Sequence, residues 1–175
     1  MTSVSESKLH YELVCKLNKH INLELTAFYF YMGAKNYFNQ YNIAFKNVAK
    51  YFENQMNEEK EHAELFQNYV ISRFGKVELF NIEKPYQSDI DYTSILSCME
   101  VAYELENQVY KSLLDLHKSA SELNDAHLTD FIEGTFLEEQ VNSIKEINDY
   151  IVNLNRIESG LGEYLFDNNM FNTSS

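Results

Sequence analysis

Residues 48–69, VAKYFENQMNEEKEHAELFQNY, decide the fold of this chain. Side chains suited to one face recur here at intervals of three and four residues, which is the spacing of an α-helix. That face is apolar at both ends but has an acid, Glu59, and a histidine, His62, at its middle. The stretch therefore predicts a long amphipathic helix whose buried face is interrupted by polar groups.

Three other long stretches repeat this pattern, each with a polar residue near its middle. A short amphipathic piece then follows Ser159 and Gly160. Asn42 and Asp125 stand where the second and fourth helices would need a cap. Together these patterns predict five helices, at about 10–38, 43–73, 93–121, 126–155 and 160–170.

The connections between these helices predict their arrangement. Two breaks are short, which favours antiparallel hairpins, whereas residues 75–91 around Pro85 lack helical spacing and are long enough to cross a bundle. We therefore predict a single domain over residues 1–175. Its fold class is all-α, an up-down-down-up four-helix bundle with one long crossover and a short fifth C-terminal helix.

Composition excludes several classes of protein. The formal charge of −13 argues against nucleic-acid partners and against anionic membrane surfaces, and it favours attraction of cations. Residues 1–7 lack an apolar signal segment, which predicts a cytoplasmic protein. Cys15 and Cys98 are too few for a disulfide framework and are expected to be packing residues in a reducing compartment.

The interrupted faces predict a metal site. Burying several carboxylates together is costly, and neither Lys nor Arg lies on these faces to neutralise them. A bound cation pair would solve the problem, and a Glu-x-x-His pair on one helix suits iron. Any one of these acids could instead face solvent in so acidic a chain. The mid-helix breaks are Glu24, Glu59 with His62, Glu106 and Gln140.

An internal repeat relates the two halves of the chain. Glu24 precedes Glu59 by 35 residues, and Glu106 precedes Gln140 by 34. The second half has Gln140-x-x-Ser143 where the first has Glu59-x-x-His62. We therefore predict one metal position with a full ligand set and a neighbouring one with fewer charged ligands, an arrangement that lets iron pass through.

Motifs along nearly the whole chain resemble those of eukaryotic ferritin subunits of the heavy, ferroxidase-active type. The resemblance implies a hollow shell of twenty-four subunits, of one type or mixed with other ferritin subunits. Such a shell oxidises Fe(II) with dioxygen and stores the ferric mineral inside. The motifs are Asn22-Leu-Glu-Leu, Asn57-Glu-Glu-Lys-Glu-His-Ala-Glu, Ser112-Leu-Leu-Asp-Leu-His, Asn124-Asp-Ala-His-Leu, Glu139-Gln-Val and Glu163-Tyr-Leu-Phe-Asp.

The same resemblance assigns roles to residues. It implies a ferroxidase centre of two iron ions per subunit, formed by Glu24, Glu59, His62, Glu106 and Gln140, with Tyr31 beside it able to hydrogen-bond a ligand. For Tyr31 alone, simple packing is the alternative. The chain departs from the vertebrate pattern in a longer loop after Pro85, in Tyr92 where tryptophan is usual, and in a shorter connection before the fifth helix.

The resemblance also assigns roles to further acidic residues, although a purely structural explanation remains for each. Asp130 and Glu133 match the entrance pore on the three-fold axis, or they simply stabilise the first turns of a helix. Glu58, Glu61 and Glu64 match a cluster that seeds the mineral, or they form a solvated acidic face. His117 and His127 are transit ligands or surface histidines, and His20 is expected to be a hydrogen-bonded core residue. No haem is predicted.

Other functions remain to be weighed against the ferroxidase. A passive storage subunit would bind mineral without oxidising iron, and the ligand pattern at Glu59, His62 and Glu106 argues against it. A secreted helical cytokine would need a signal segment and would not bury these acids. Other di-iron bundles would need a second Glu-x-x-His, which the fourth helix lacks.

Overall fold

The computed structural model describes residues 7–82 and 92–170 and confirms the all-α bundle with a short C-terminal helix. Both ends of the chain lie outside the described residues, as does most of the predicted crossover, including Pro85. The helices are α1 (Tyr11–Phe38), α2 (Lys46–Ser72), α3 (Ile95–Glu122), α4 (Ala126–Ile132), a π-helical segment (Glu133–Leu137), α5 (Glu138–Leu154) and α6 (Leu161–Met170).

The predicted fourth helix is interrupted. Instead of one α-helix, α4 and α5 are joined end to end by the π-helical segment, in which the backbone takes one more residue per hydrogen-bonded turn. Gly134 and Thr135, both weak helix formers, lie inside it. The wider turn changes which face of the helix is buried just before Gln140. The three- and four-residue spacing in the sequence does not reveal this change.

The start of α2 also differs from the prediction. Asn42 does not cap this helix, which begins at Lys46 after a turn where Ala44 has a φ of 59°. The cap comes from α6 instead, because the Asp167 carboxylate accepts hydrogen bonds from the backbone N–H groups of Asn47 at 3.0 Å and Val48 at 2.8 Å. Asp125 caps α4 as predicted, accepting from the Leu128 N–H at 3.1 Å.

The core consists of two apolar clusters at different heights of the bundle. One includes Phe30, Phe38, Phe52, Met99 and Ile147, which pack near the α1–α2 turn. The other lies towards the opposite end of the bundle, with members Leu13, Leu17, Phe66, Leu113 and Phe136. The polar mid-helix residues occupy the layer between the two clusters.

Helix α6 has a buried side and an exposed side. Phe166 is buried in the first cluster with its ring centroid 6.0 Å from that of Tyr150, and Asp167 is buried against α2. Leu161, Tyr164 and Leu165 are exposed. The helix is thus anchored to its own bundle while presenting an apolar surface outward.

Candidate metal centre

Three potential ligands converge between α1 and α2 in the polar layer. A carboxylate oxygen of Glu24, one of Glu59 and a ring nitrogen of His62 all lie within 4.8 Å of one another. The three residues are only 1%, 4% and 9% exposed. Helical spacing explains the grouping, since Glu59 and His62 are one turn apart on α2 and Glu24 lies on the facing helix. The set matches the hard oxygen and imidazole ligands of iron.

The electrostatics of these acids favour a cation. Among the described residues, no well-aligned hydrogen bond reaches either carboxylate oxygen of Glu24 or the Oε2 atom of Glu59, although the His20 Nε2 atom lies 2.8 Å from Glu24 Oε1. Burial, and then the charges of Glu106 and Glu24, raise the pKa of Glu59 well above its usual range. Burial also acts to raise the pKa of Glu24, but His20, Glu59 and His62 together outweigh it and the pKa is lowered. Buried, unsatisfied carboxylate oxygens of this kind fit a bound metal ion.

Glu106 stands in a different environment. The Tyr31 hydroxyl donates to its Oε1 atom, and the Gln140 side-chain amide donates to its Oε2 atom. Gln140 also donates to the Glu106 backbone carbonyl at 3.1 Å. Burial raises the pKa of Glu106, whereas the two side-chain hydrogen bonds act to lower it. Its carboxylate is therefore held in place by neutral donors from α1 and α5.

A second acidic group adjoins the first on the side of α5. Ligand atoms of Glu58, His62 and Glu139 lie within 4.8 Å of one another, with His62 Nε2 3.5 Å from Glu139 Oε1. Burial, followed by interaction with Glu139, raises the pKa of Glu58 to about 8. This group opens onto a groove of about 670 Å³ whose lining includes the acids Glu58, Glu133, Glu138, Glu139 and Glu146.

The remaining predicted acids are exposed on the surface. Glu61 and Glu64 are exposed, and the Lys60 ammonium lies 3.6 Å from Glu64. Asp130 is exposed on α4. Glu133 contacts the His117 ring at 2.5 Å on the surface.

Two features of the centre escaped sequence reasoning. Glu139 reaches the rim because the π-helical segment resets the helix face, and no spacing rule indicates this. His20 was expected in the core, and it is buried there, but its partner Ser112 lies 92 positions away in sequence. Helical periodicity places a residue on a face, yet it does not name the residue opposite.

Comparison with known proteins identifies the family of this chain. Residues 14–157 match the family described as the ferritin-like domain. The chain is also 43% identical over 175 residues to the soma ferritin of Lymnaea stagnalis, with 99% of each sequence covered. The chain belongs to the ferritin family. Membership in the ferritins supports iron binding, iron storage and assembly into an oligomeric shell. Within the described ranges, this ferritin has no helix that is both long and apolar enough to span a membrane.

Proposed function

We propose that this ferritin is a ferroxidase, a cytoplasmic subunit that oxidises Fe(II) with dioxygen at a centre for two iron ions and stores the ferric product as mineral. The shell would contain twenty-four subunits. The observation that carries the proposal is the buried group of Glu24, Glu59 and His62, whose ligand atoms lie within 4.8 Å of one another. A subunit built only to enclose mineral has no need of such a group in its interior.

The first ion position uses that complete set. Glu59 would serve both ion positions, because the charges of both Glu106 and Glu24 act on its carboxyl group and raise its pKa. Glu106 would be the main carboxylate of the second position, steadied by Tyr31 and Gln140. Since Gln140 and Ser143 bring no charge, the second ion would be held more loosely than the first.

The electrons of the proposed reaction balance. Each Fe(II) gives up one electron, so one dioxygen accepts electrons from four Fe(II) ions and protons from solvent and becomes two waters. The protein contributes position and charge. It holds two ions close together in a layer from which the flanking apolar clusters exclude bulk water.

Acidic residues outside the centre would provide a route for Fe(II) to enter and for the ferric product to leave. Asp130 and Glu133 lie on the surface, where three-fold symmetry would multiply their charge into a cation-attracting pore. Glu58 and Glu139 connect the centre to the acidic groove, which would receive the ferric product. Of the three acids proposed to seed mineral, Glu58 borders the centre, whereas Glu61 and Glu64 are exposed on α2.

The exposed side of α6 supports the shell. Leu161, Tyr164 and Leu165 are exposed close together on one short helix, and a partner surface would remove them from water. We propose that copies of α6 meet about a four-fold axis and cover them. Phe166 and Asp167 fix the helix to its own bundle, so its outward surface is held in position for that contact.

The alternative is a storage subunit without ferroxidase activity. A double substitution separates the two, replacing Glu59→Gln and His62→Ser so that α2 carries the residue pair of α5. We expect initial Fe(II) oxidation at low iron loading to fall at least about a hundredfold, while the shell still assembles. Stopped-flow absorbance measures the rate, and size-exclusion mass measures assembly.

The matched control removes two exposed acids of the same helix, Glu61→Gln with Glu64→Gln. It should leave the initial rate near that of the wild type, since neither side chain borders the buried group. Unaltered initial oxidation in the Glu59→Gln, His62→Ser variant would reject the ferroxidase assignment in favour of passive storage.

A further inference from the structure

His20 is a fully buried histidine next to the centre. It lies one turn before Glu24 on α1, with its side chain 0% exposed. Its Nε2 atom is 2.8 Å from Glu24 Oε1, and its Nδ1 atom is 2.9 Å from the Ser112 hydroxyl on α3. Each ring nitrogen therefore faces a different polar partner, one of which is a proposed iron ligand.

Packing fixes the plane of this ring. The Phe66 ring meets it edge to face, with centroids 4.5 Å apart and an interplanar angle of 77°. Phe66 itself is buried and stacks on Phe136. A ring flip would exchange the two nitrogens with carbon atoms and would leave both polar partners without a contact. The site is thus built to keep one orientation.

We propose that His20 is a positioning residue for Glu24, and that Ser112 sets the tautomer through which it acts. This rests on the proposed function, because it concerns a ligand of the same centre. If the Ser112 hydroxyl donates to Nδ1, the ring proton lies on Nε2, the nitrogen that faces Glu24. The opposite tautomer would point a nitrogen lone pair at a carboxylate oxygen.

The consequence concerns which oxygen of Glu24 meets the metal. With Oε1 2.8 Å from His20 Nε2, Oε2 is the Glu24 oxygen left available to a metal ion. Groups that hold a metal ligand in this way typically raise metal affinity ten- to a hundredfold. Neither His20 nor Ser112 needs to touch iron for this effect.

The test measures binding of Co(II) to the metal-free shell, so that it does not depend on turnover. The relevant Co(II) absorption is the part that disappears in the Glu59→Gln, His62→Ser variant. His20→Leu removes the polar contact, and we expect about ten- to a hundredfold weaker Co(II) binding with altered absorption bands. His20→Gln restores a donor at the same helix position, and its affinity should recover to near wild type.

Two further variants separate positioning from general stability. Ser112→Ala leaves His20 in place but removes the hydroxyl that would fix its tautomer, so we expect a smaller loss of Co(II) affinity than in His20→Leu. This variant keeps the proposal testable if His20→Leu folds poorly. Asn18→Ala removes another buried polar group of α1, one that holds the backbone at Lys76 and Glu78 away from the centre. It should lower stability without altering the Co(II) spectrum.

The outcomes distinguish this proposal from the proposed function. Wild-type affinity and spectrum in both His20→Leu and Ser112→Ala would overturn the positioning role alone. If the Glu59→Gln, His62→Ser variant itself bound Co(II) with the wild-type spectrum, the centre would be absent and both proposals would fail. Failure of His20→Gln to recover binding would also count against positioning through a donated contact.

Discussion

The two halves of the bundle reach the same polar layer with different chemistry. The α1–α2 half brings Glu24, Glu59 and His62, whose carboxylates include three buried oxygens outside any well-aligned hydrogen bond. In the other half, Glu106 accepts hydrogen bonds from Tyr31 and Gln140 on both oxygens. One half is arranged to be completed by a cation, and the other is already partly satisfied.

This difference teaches how a duplicated hairpin can hold two ions unequally. A carboxylate whose oxygens lack donors gains the most from a metal ion, whereas one that already accepts two hydrogen bonds gains less. The first half should therefore bind iron firmly and the second should exchange it. An oxidation centre that must release its product needs such an inequality.

The largest expected effect comes from making the halves alike. Gln140→Glu with Ser143→His gives α5 the Glu-x-x-His pair of α2. A new carboxylate beside Glu106 lacks a partner in the metal-free state, so the free energy of unfolding should fall by about 3 kcal/mol. Thermal unfolding in the presence and absence of Co(II) measures this, and added metal should restore the loss.

The matched control for that swap is Gln108→Glu, which adds the same charge to an exposed position of the same half. It should unfold like the wild type with or without metal. If the Gln140→Glu, Ser143→His variant were equally stable without metal, the second half would not be limited by buried charge.

A smaller effect is expected from the contact that crosses between the halves. Tyr31→Phe removes the hydroxyl that donates to Glu106, leaving a buried carboxylate oxygen without its donor. The protein should lose about 1–3 kcal/mol of stability, and initial oxidation should slow. Chemical denaturation and stopped-flow absorbance measure these. Tyr29→Phe, at an exposed position of α1, should change neither, and an equal response in both variants would contradict the special role of Tyr31.

Much of this comparison could be predicted from the sequence. Periodicity placed Glu24, Glu59, His62, Glu106 and Gln140 on buried faces, because burial recurs every three to four residues along a helix. It could not reveal the π-helical segment, whose extra residue is accommodated by backbone hydrogen bonding alone. Contacts between distant helices, such as His20 with Ser112, depend on the packed geometry that no local pattern encodes.

The cap of α2 shows the same limit of local reasoning. Asn42 had the right chemistry for a cap, but the turn through Ala44 delays the helix to Lys46. Asp167 then satisfies the free N–H groups from 119 and 120 positions away. By contrast, α3 and α4 are capped by their own Ser94 and Asp125. The first half thus depends on α6 for the cap of its second helix.

That dependence predicts a modest effect. Asp167→Ala removes the borrowed cap and should lower the free energy of unfolding by about 1 kcal/mol. Asp167→Asn keeps a side-chain oxygen that can accept the same hydrogen bonds, so it should lose less. Thermal unfolding of the assembled protein measures both. Equal stability of the alanine variant and the wild type would mean that α6 does not anchor α2.

The smallest effect concerns the two cysteines, one in each half. Cys98 is buried on α3, and burial raises its pKa to about 12, so very little thiolate exists near pH 8. Cys15 on α1 is partly exposed. In the native protein, iodoacetamide should modify Cys15 well before Cys98, which peptide mass spectrometry measures. Comparable modification of Cys98 would show that the second half opens readily.

The most direct test of the inequality between the halves is an anaerobic Co(II) titration of Glu106→Gln. The wild type should bind two ions per subunit at the buried centre, with the Glu59→Gln, His62→Ser variant providing the baseline for other sites. The substitution keeps the shape of the side chain but removes the charge of the second position. We predict that Glu106→Gln retains one firmly bound ion with wild-type affinity and loses the second. Loss of both ions, or retention of both, would contradict a centre in which only the α1–α2 half is complete.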